Sequence, residues 1–276
     1  MDRDRLTITL RQDLLHQLDD IIDGVKIRNR SHAIEYLLSQ SLQPKITQAV
    51  ILAGGQGVKM RPLTYEVPKP LIPVGGKPVL EYTLELLSDA GIREVILATG
   101  HLGDKIKQEI GNGRKYGMKV TYSEEPVALG SAGAIRYARH LIKSQPFLVI
   151  NADILTKINL KEVIEFHQEE KFICTMALSA KAKTQGFGTV LLRGEKVVQF
   201  IKKSDKKTSQ LINAGIYIFN PEIFDYIPVN DKSDLDEDVF PKLAEEGKLS
   251  GYTFEADWFE VSTTANYELA IKKWKG

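Results

Sequence analysis

With one cysteine in 276 residues, Cys174, the chain cannot form an internal disulfide framework. That cysteine sits in the apolar run Phe172–Leu178 and reads as a small buried side chain. Long hydrophobic runs are also missing. None approaches the roughly 20 residues a membrane-spanning helix needs. The opening MDRDRLTITL is too charged for a secretory leader, so a cytoplasmic protein is expected. There is no excess of either charge. Lys and Arg total 37, Asp and Glu 36, for a formal net charge of +1, which argues neither for nor against a nucleic-acid partner. The five histidines, His16, His32, His101, His140 and His167, are scattered without metal-ligand spacing in a helix. What remains is ordinary for a globular chain, 43% hydrophobic and 26% charged, and long enough for a sizeable core in one or two domains.

Against this plain background one stretch stands out, ILAGGQGVKMRPLTYEVPKPLIPVGGK, residues 51–77. Ala49 to Ala53 reads as a buried strand, so Leu52 and Ala53 lead into a turn carrying Gly54, Gly55 and Gly57. Lys59, Arg61 and Lys69 follow. Glycines let backbone N–H groups approach and cradle phosphate oxygens, and the cations suit an anionic ligand. Two common phosphate loops do not fit. The P-loop needs Gly-Lys before Ser or Thr, and the dinucleotide fingerprint needs a third glycine where Met60 stands. The stretch resembles instead the signature of sugar-1-phosphate nucleotidyltransferases, G-G-x-G-T-R-(L/M)-x-P-L-T followed by P-K-P-L-I-P-V-x-x-K-P. Val58 replaces Thr and Lys59 replaces Arg.

Residues 1–45 read as a separate unit. RLTITL alternates, with Leu6, Ile8 and Leu10 on one face and Arg5, Thr7, Thr9 and Arg11 on the other, the pattern of a short strand. From Asp13 the spacing turns helical up to Gly24, and a second helix is expected from Ser31 as N-cap to Leu42. Strand, helix and helix in so few residues have too little core to stand alone. The arrangement resembles the ribbon–helix–helix family of DNA-binding proteins. That resemblance implies a homodimer whose paired strands enter the major groove. Arg5, Thr7 and Thr9 would face base edges, and Arg30 and Ser31 would sit on a phosphate. The segment 1–46 holds seven basic and seven acidic residues, less basic than DNA binders usually are, so a dimerisation cap stays open as the other reading.

From residue 46 to 276, strands alternate with helices, the pattern of an open α/β sheet. The resemblance implies a Rossmann-like open mixed sheet with helices on both faces, the nucleotidyltransferase fold, preceded by the small β-α-α unit. EEPVALGSAGA, from Glu124, resembles the family's E-E-P-x-x-L-G-T-A-G-A. This places Glu124 or Glu125, with Glu125 taken as the candidate, and Gly130 beside the nucleotide base. FLVINAD ends at Asp153, and in open α/β sheets ligands gather at the carboxyl ends of strands. The family places a Mg²⁺-binding Asp there. Gly186–Ser204 reads as a hairpin turning at Gly194-Glu195. It resembles the family's sugar-phosphate segment, matching at Gly188 and Lys203, with Lys202 in place of Glu and Ser204 in place of Pro. LINAGIY matches N-A-G-I-Y, which puts Asn213 and Gly215 in the sugar pocket. DWFEVSTTANYELA resembles W-x-D-I-G-T-P-x-x-Y-x-x-A, with Glu260 in place of the second metal-binding Asp. The chain ends soon after this segment, so the extra C-terminal domain of some relatives is expected to be absent.

The implied reaction is Mg²⁺-dependent transfer of a nucleotidyl group from a nucleoside triphosphate to a hexose-1-phosphate, giving NDP-sugar and pyrophosphate. Lys59, Lys69 and Asp153 would be catalytic, and Asp153 and Glu260 would bind metal. Base and sugar stay open. The departures raise a second reading. Lys is a point charge where Arg grips bidentately, and Glu260 is a methylene longer than Asp, while a misplacement of roughly 1 Å can cost about 10²-fold. A domain that binds nucleotide sugar without turning it over would make a ligand sensor for a ribbon–helix–helix regulator.

Overall fold

The computed structural model describes residues 7–42, 46–181, 187–201, 210–229 and 232–275. The chain divides into two compact units, Met1–Pro44 and Lys45–Gly276.

In the first unit, α1 (Gln12–Asp20) and α2 (Arg30–Leu42) are joined by a loop in which Asp23 Oδ1 accepts the N–H groups of Val25 and Ile27, both at 2.8 Å. Two expectations need correction. Asn29, not Ser31, caps α2, its Oδ1 accepting His32 N–H at 2.9 Å. Thr7 to Leu10 form no strand, and Arg5 lies outside the described residues. The physical reason is that a strand needs a neighbour to satisfy its ladder, and among its described residues a single copy of this unit offers none. Arg30 is held by Asp19 in a two-pronged pair at 2.7 and 2.6 Å, which occupies the guanidinium expected on a phosphate.

The second unit starts with β1 (Gln48–Leu52). After the glycine turn come the short α3 (Leu63–Glu66), a two-residue ribbon of β2 (Pro73–Val74) and β3 (Lys77–Pro78), and α4 (Val79–Asp89). There follow β4 (Glu94–Thr99), α5 (Gly103–Ile110), β5 (Lys119–Glu124), α6 (Gly130–Tyr137), β6 (Phe147–Asn151), β7 (Ile154–Thr156) and α7 (Leu160–Glu169). Next are β8 (Cys174–Lys181), β9 (Thr189–Arg193), β10 (Lys196–Ile201) and β11 (Gln210–Phe219). The chain closes with α8 (Phe240–Glu245), entered through a wide π turn over Leu235–Val239, then β12 (Leu249–Phe254), β13 (Trp258–Glu260) and α9 (Thr264–Lys273).

Nine strands make one mixed sheet in the order β5-β4-β1-β6-β11-β8-β12-β10-β9. β1 is parallel to both β4 and β6 and buried on both faces, which is why its sequence is continuously apolar instead of alternating. Ala49 and Ile51 meet Leu80, Leu84, Ile106 and Val163 of α4, α5 and α7 on one side. Val50 meets Ala132, Ile135 and Leu243 of α6 and α8 on the other. The chain leaves β1 toward β4 and β5, then returns to the opposite side at β6. β1 and β6 therefore flank a topological switch point, where a crevice opens beyond the carboxyl ends of the strands.

Candidate active site

The crevice is a cleft of about 500 Å³. Its floor is the end of β1, Leu52 and Ala53, running into Gly54 and Gly55, and the end of β6, Asn151 to Asp153. The glycine turn is held from outside. Gly57 adopts φ +62°, and Thr64 Oγ1 of α3 donates to its carbonyl at 2.8 Å, while a methyl on Gly57 would lie 2.7 Å from Thr64 Cγ2. Gly54 is pressed on two sides, since a Cβ there would meet Glu125 Oε1 at 2.9 Å and Gly100 N at 3.4 Å. Glu125 forms the far wall, and its Oε2 accepts the Leu129 N–H at 3.0 Å. Burial pushes its carboxyl above the usual range, opposed in part by that N–H.

A second cleft of about 270 Å³ adjoins the first, lined by Phe187, Gly188, Asn213, Gly215, Asp236, Trp258 and Glu260 among others. Its shape comes from a bulge in β11 between Asn213 and Tyr217. Gly215 there takes φ +72°, and a Cβ would stand 2.4 Å from Ile154 Cδ1 and 2.7 Å from Asn151 Nδ2. The backbone groups freed by the bulge are paired elsewhere. Gly215 N–H donates to Asn213 Oδ1 at 2.9 Å, and Trp258 Nε1–H to Ala214 O at 3.0 Å. Asn213 Nδ2–H in turn donates to Asp236 Oδ1 at 3.1 Å, which fixes its amide.

Where the clefts meet, each contributes a carboxylate. Asp153 lines the first and Glu260 the second. Asp153 is buried and paired with the Lys69 ammonium. Burial works against that ammonium, but the charges of Asp153 and, farther off, Glu260 outweigh it and hold Lys69 protonated above its ordinary value. Burial and then the Asp153 charge raise the Glu260 carboxyl, against the opposing pull of Ser262, whose hydroxyl donates to it, and of Lys69 and Lys59.

Residues 48–275 match the nucleotidyl transferase family. The chain belongs to that family. It is 33% identical over 225 residues to mannose-1-phosphate guanylyltransferase catalytic subunit beta of Drosophila pseudoobscura pseudoobscura, covering 80% of this chain and 60% of the relative. It is 33% identical over 243 residues to UTP–glucose-1-phosphate uridylyltransferase of Synechocystis, covering 82% and 62%. The chain thus spans about three fifths of the length of these curated relatives. Among solved structures, HddC from Yersinia pseudotuberculosis complexed with GMP-PN superposes with a TM-score of 0.72 at 26% identity, covering 83% of this chain and 100% of HddC.

In this nucleotidyl transferase chain the expected nucleotide residues Leu52, Ala53, Gly54, Gly55, Glu125 and Gly130 line the first cleft together with Lys69 and Asp153. Gly57 instead shapes the turn, and Lys59 lies exposed outside both clefts. Of the two candidate glutamates, Glu124 points away and pairs with Lys107 at 2.7 Å. Gly188, Asn213 and Gly215 share the second cleft with Glu260. Lys202, Lys203 and Ser204 lie outside the described residues. Ser131, Asn151 and Asp234 line both clefts and add to the residues that the motifs name. Asn151 carries a usable signal, since it ends β6 two positions before Asp153. Asp234 has none, because 103 residues separate it from its partner Ser131.

Proposed function

We propose that residues 46–276 transfer a nucleotidyl group from a nucleoside triphosphate to a hexose-1-phosphate. The observation that carries this is the pair of adjoining clefts with one carboxylate from each at the junction, Asp153 and Glu260, electrically sensing one another. A triphosphate fits the first cleft, its phosphates against the glycine turn, where Gly55 leaves room for close approach. The base lies toward Glu125. The sugar phosphate fits the second cleft, its hydroxyls within reach of the fixed amide of Asn213. Lys203 is assigned to its phosphate.

Mg²⁺ suits the junction. Two carboxylates and one ammonium leave a net negative charge, and Mg²⁺ is commonly held by one or two carboxylates with substrate phosphates completing its shell. Among the described residues no group of three or more His, Cys, Asp or Glu side chains could hold a metal by itself, which fits a site that substrate completes. Asp153 and Glu260 would hold the ion, which when bound offsets charge on the reacting phosphates. The nucleophile, an oxygen of the sugar-1-phosphate, is already anionic and needs no general base. It attacks the α-phosphorus, a new P–O bond forms, and the bond from that phosphorus to the bridging oxygen breaks as pyrophosphate leaves. The chain's work is to align the two phosphates and neutralise charge, with Lys69 moving between Asp153 and phosphate and Lys59 meeting the pyrophosphate.

Incubating the full chain with Mg²⁺, each nucleoside triphosphate and a panel of hexose-1-phosphates tests this by pyrophosphate release. The names of the relatives put GTP with mannose-1-phosphate and UTP with glucose-1-phosphate first in the panel. The exposed position of Lys59 favours a second reading, a domain that binds nucleotide sugar without turnover. Nucleotide-sugar binding with no release from any substrate pair would decide for it.

For residues 1–45 we propose pairing with a second copy and contact with duplex DNA. Among the described side chains of this unit only Leu18 and Ala33 are buried, while Ile8, Leu14, Leu37 and Leu38 are exposed and would gain from a partner. No described helix is long and apolar enough to cross a membrane, and a cytoplasmic setting suits a DNA partner. Selection from random duplexes should enrich a palindromic site, and sedimentation should show a dimer. Without enrichment the role reduces to assembly.

A further inference from the structure

The two clefts share a wall. Ser131 at the start of α6 and Asp234 before the π turn line both of them, and they are bound to each other. Asp234 Oδ1 accepts the Ser131 N–H at 3.0 Å and the Ser131 Oγ–H at 3.3 Å, and the same Oγ accepts the Leu235 N–H at 2.8 Å. The backbone repeats the link. Ser233 O accepts from Ala132 N at 3.0 Å and Gly133 N at 3.1 Å, and Ser233 N donates to Leu129 O at 2.9 Å. Gly130, at φ +78°, lies so near that a Cβ would stand 2.4 Å from Ser233 O.

The free N–H groups at the start of a helix are ordinarily available to an anion. Here those of Ser131, Ala132 and Gly133 are taken by residues 233 and 234 of the sugar side. The start of α6 therefore fastens one wall of the nucleotide cleft to one wall of the sugar cleft. A ligand on either face meets the same few residues. An adjustment of that wall for one ligand is therefore felt by the other, and by linkage the effect is reciprocal.

We propose that Ser131 and Asp234 are positioning residues that couple the two clefts, so that a ligand in one tightens binding in the other. This rests on the two-substrate reading of the clefts given above. Asp234 caps and orients α6 through Ser131, and its effect on the reaction is through the wall it holds. Both substrates then gain affinity from a single assembled wall.

The test is calorimetric titration of the full chain with Mg²⁺ and the α,β-methylene analogue of GTP or UTP, which cannot be cleaved at the reacting bond. Each titration is run with and without mannose-1-phosphate or glucose-1-phosphate. In the wild type the sugar phosphate should tighten the analogue by a factor within the roughly 5–150-fold range usual for coupled sites, and the reverse titration should return the same factor. Ser131→Ala and Asp234→Ala should bring that factor toward one, whatever happens to each affinity alone. Asp234→Asn, which retains an acceptor oxygen for the Ser131 N–H, should restore most of it. The double variant should lose no more coupling than either single one. Ser131→Ala removes one hydroxyl, so it keeps the test available if Asp234→Ala does not fold. Both probes binding the wild type with a factor of one, or an unchanged factor in the alanine variants, overturns the coupling and leaves the two-substrate reading standing. If no probe binds the wild type in any combination, both fall.

Discussion

His167 provides a test of the packed interior on which the second cleft is built. It sits on α7, 3% exposed, and its Nδ1 shares a hydrogen bond of 2.8 Å with Thr175 Oγ1 on β8. Thr175 Oγ1 also shares a bond of 2.8 Å with Ser250 Oγ on β12. β8 pairs with β11, the strand whose bulge shapes the second cleft. Burial lowers the imidazole from 6.5 to about 4, only partly offset by the Asn220 side chain. Between those values the unfolded chain binds a proton that the folded chain does not. Stability is therefore fully present above about pH 6.5 and declines as the pH falls toward 4. At roughly 1.4 kcal/mol per pH unit, this one group removes about 3 kcal/mol by pH 4. Urea unfolding of wild type and His167→Gln at pH 7, 5.5 and 4 isolates the effect, because the carboxylates contribute alike to both. The wild type should lose about 3 kcal/mol more than the variant between pH 7 and 4. Parallel pH profiles would show that His167 is not held neutral by burial.

Gly215→Ala forces a side chain into positive φ and against Ile154 and Asn151. It should cost about 2–4 kcal/mol in urea unfolding, and sugar-phosphate affinity should fall with it. Asp153→Asn keeps the shape but removes one junction charge and the partner of Lys69. It should lower kcat by roughly 10²-fold, about 2.7 kcal/mol on the barrier, in the pyrophosphate assay. Glu125→Ala frees the Leu129 N–H and removes a wall of the first cleft. The triphosphate KM should rise about tenfold with a smaller change in kcat, a loss of about 1.4 kcal/mol in binding. Thr263→Ala removes the acceptor of the Asn266 N–H that caps α9, and should cost about 1 kcal/mol in thermal unfolding without altering turnover.

Local pattern alone was enough for much of the second unit. The apolar run before Gly54 had to be a buried strand because nothing polar interrupts it, and its end had to turn because Gly54, Gly55 and Gly57 follow. Gly194-Glu195 likewise marked the turn of the β9–β10 hairpin. Motif position placed Asp153, Asn213 and Glu260, since each lies at a strand end or bulge with a recognisable surround. In the first unit the helical spacings sufficed for α1 and α2, but the alternation before them did not make a strand. The alternation of Arg5 to Leu10 describes a face, but a strand also needs a hydrogen-bonding neighbour, and residues 7–10 of one chain have none. Long-range meetings were out of reach in principle. Periodicity constrains residues a few positions apart; the motif had already favoured Glu125 over Glu124, and the structure adds the contact that takes Glu124 to Lys107 while Glu125 lines the cleft. The capping of α6 by Asp234 arises only when the segment before the π turn packs on the start of α6, and the meeting of Asp153 with Glu260 only when β13 pairs with β7, Glu260 opposite Ile154. Spacing along the chain carries no record of those approaches, because packing the two faces of the sheet, not local preference, sets them.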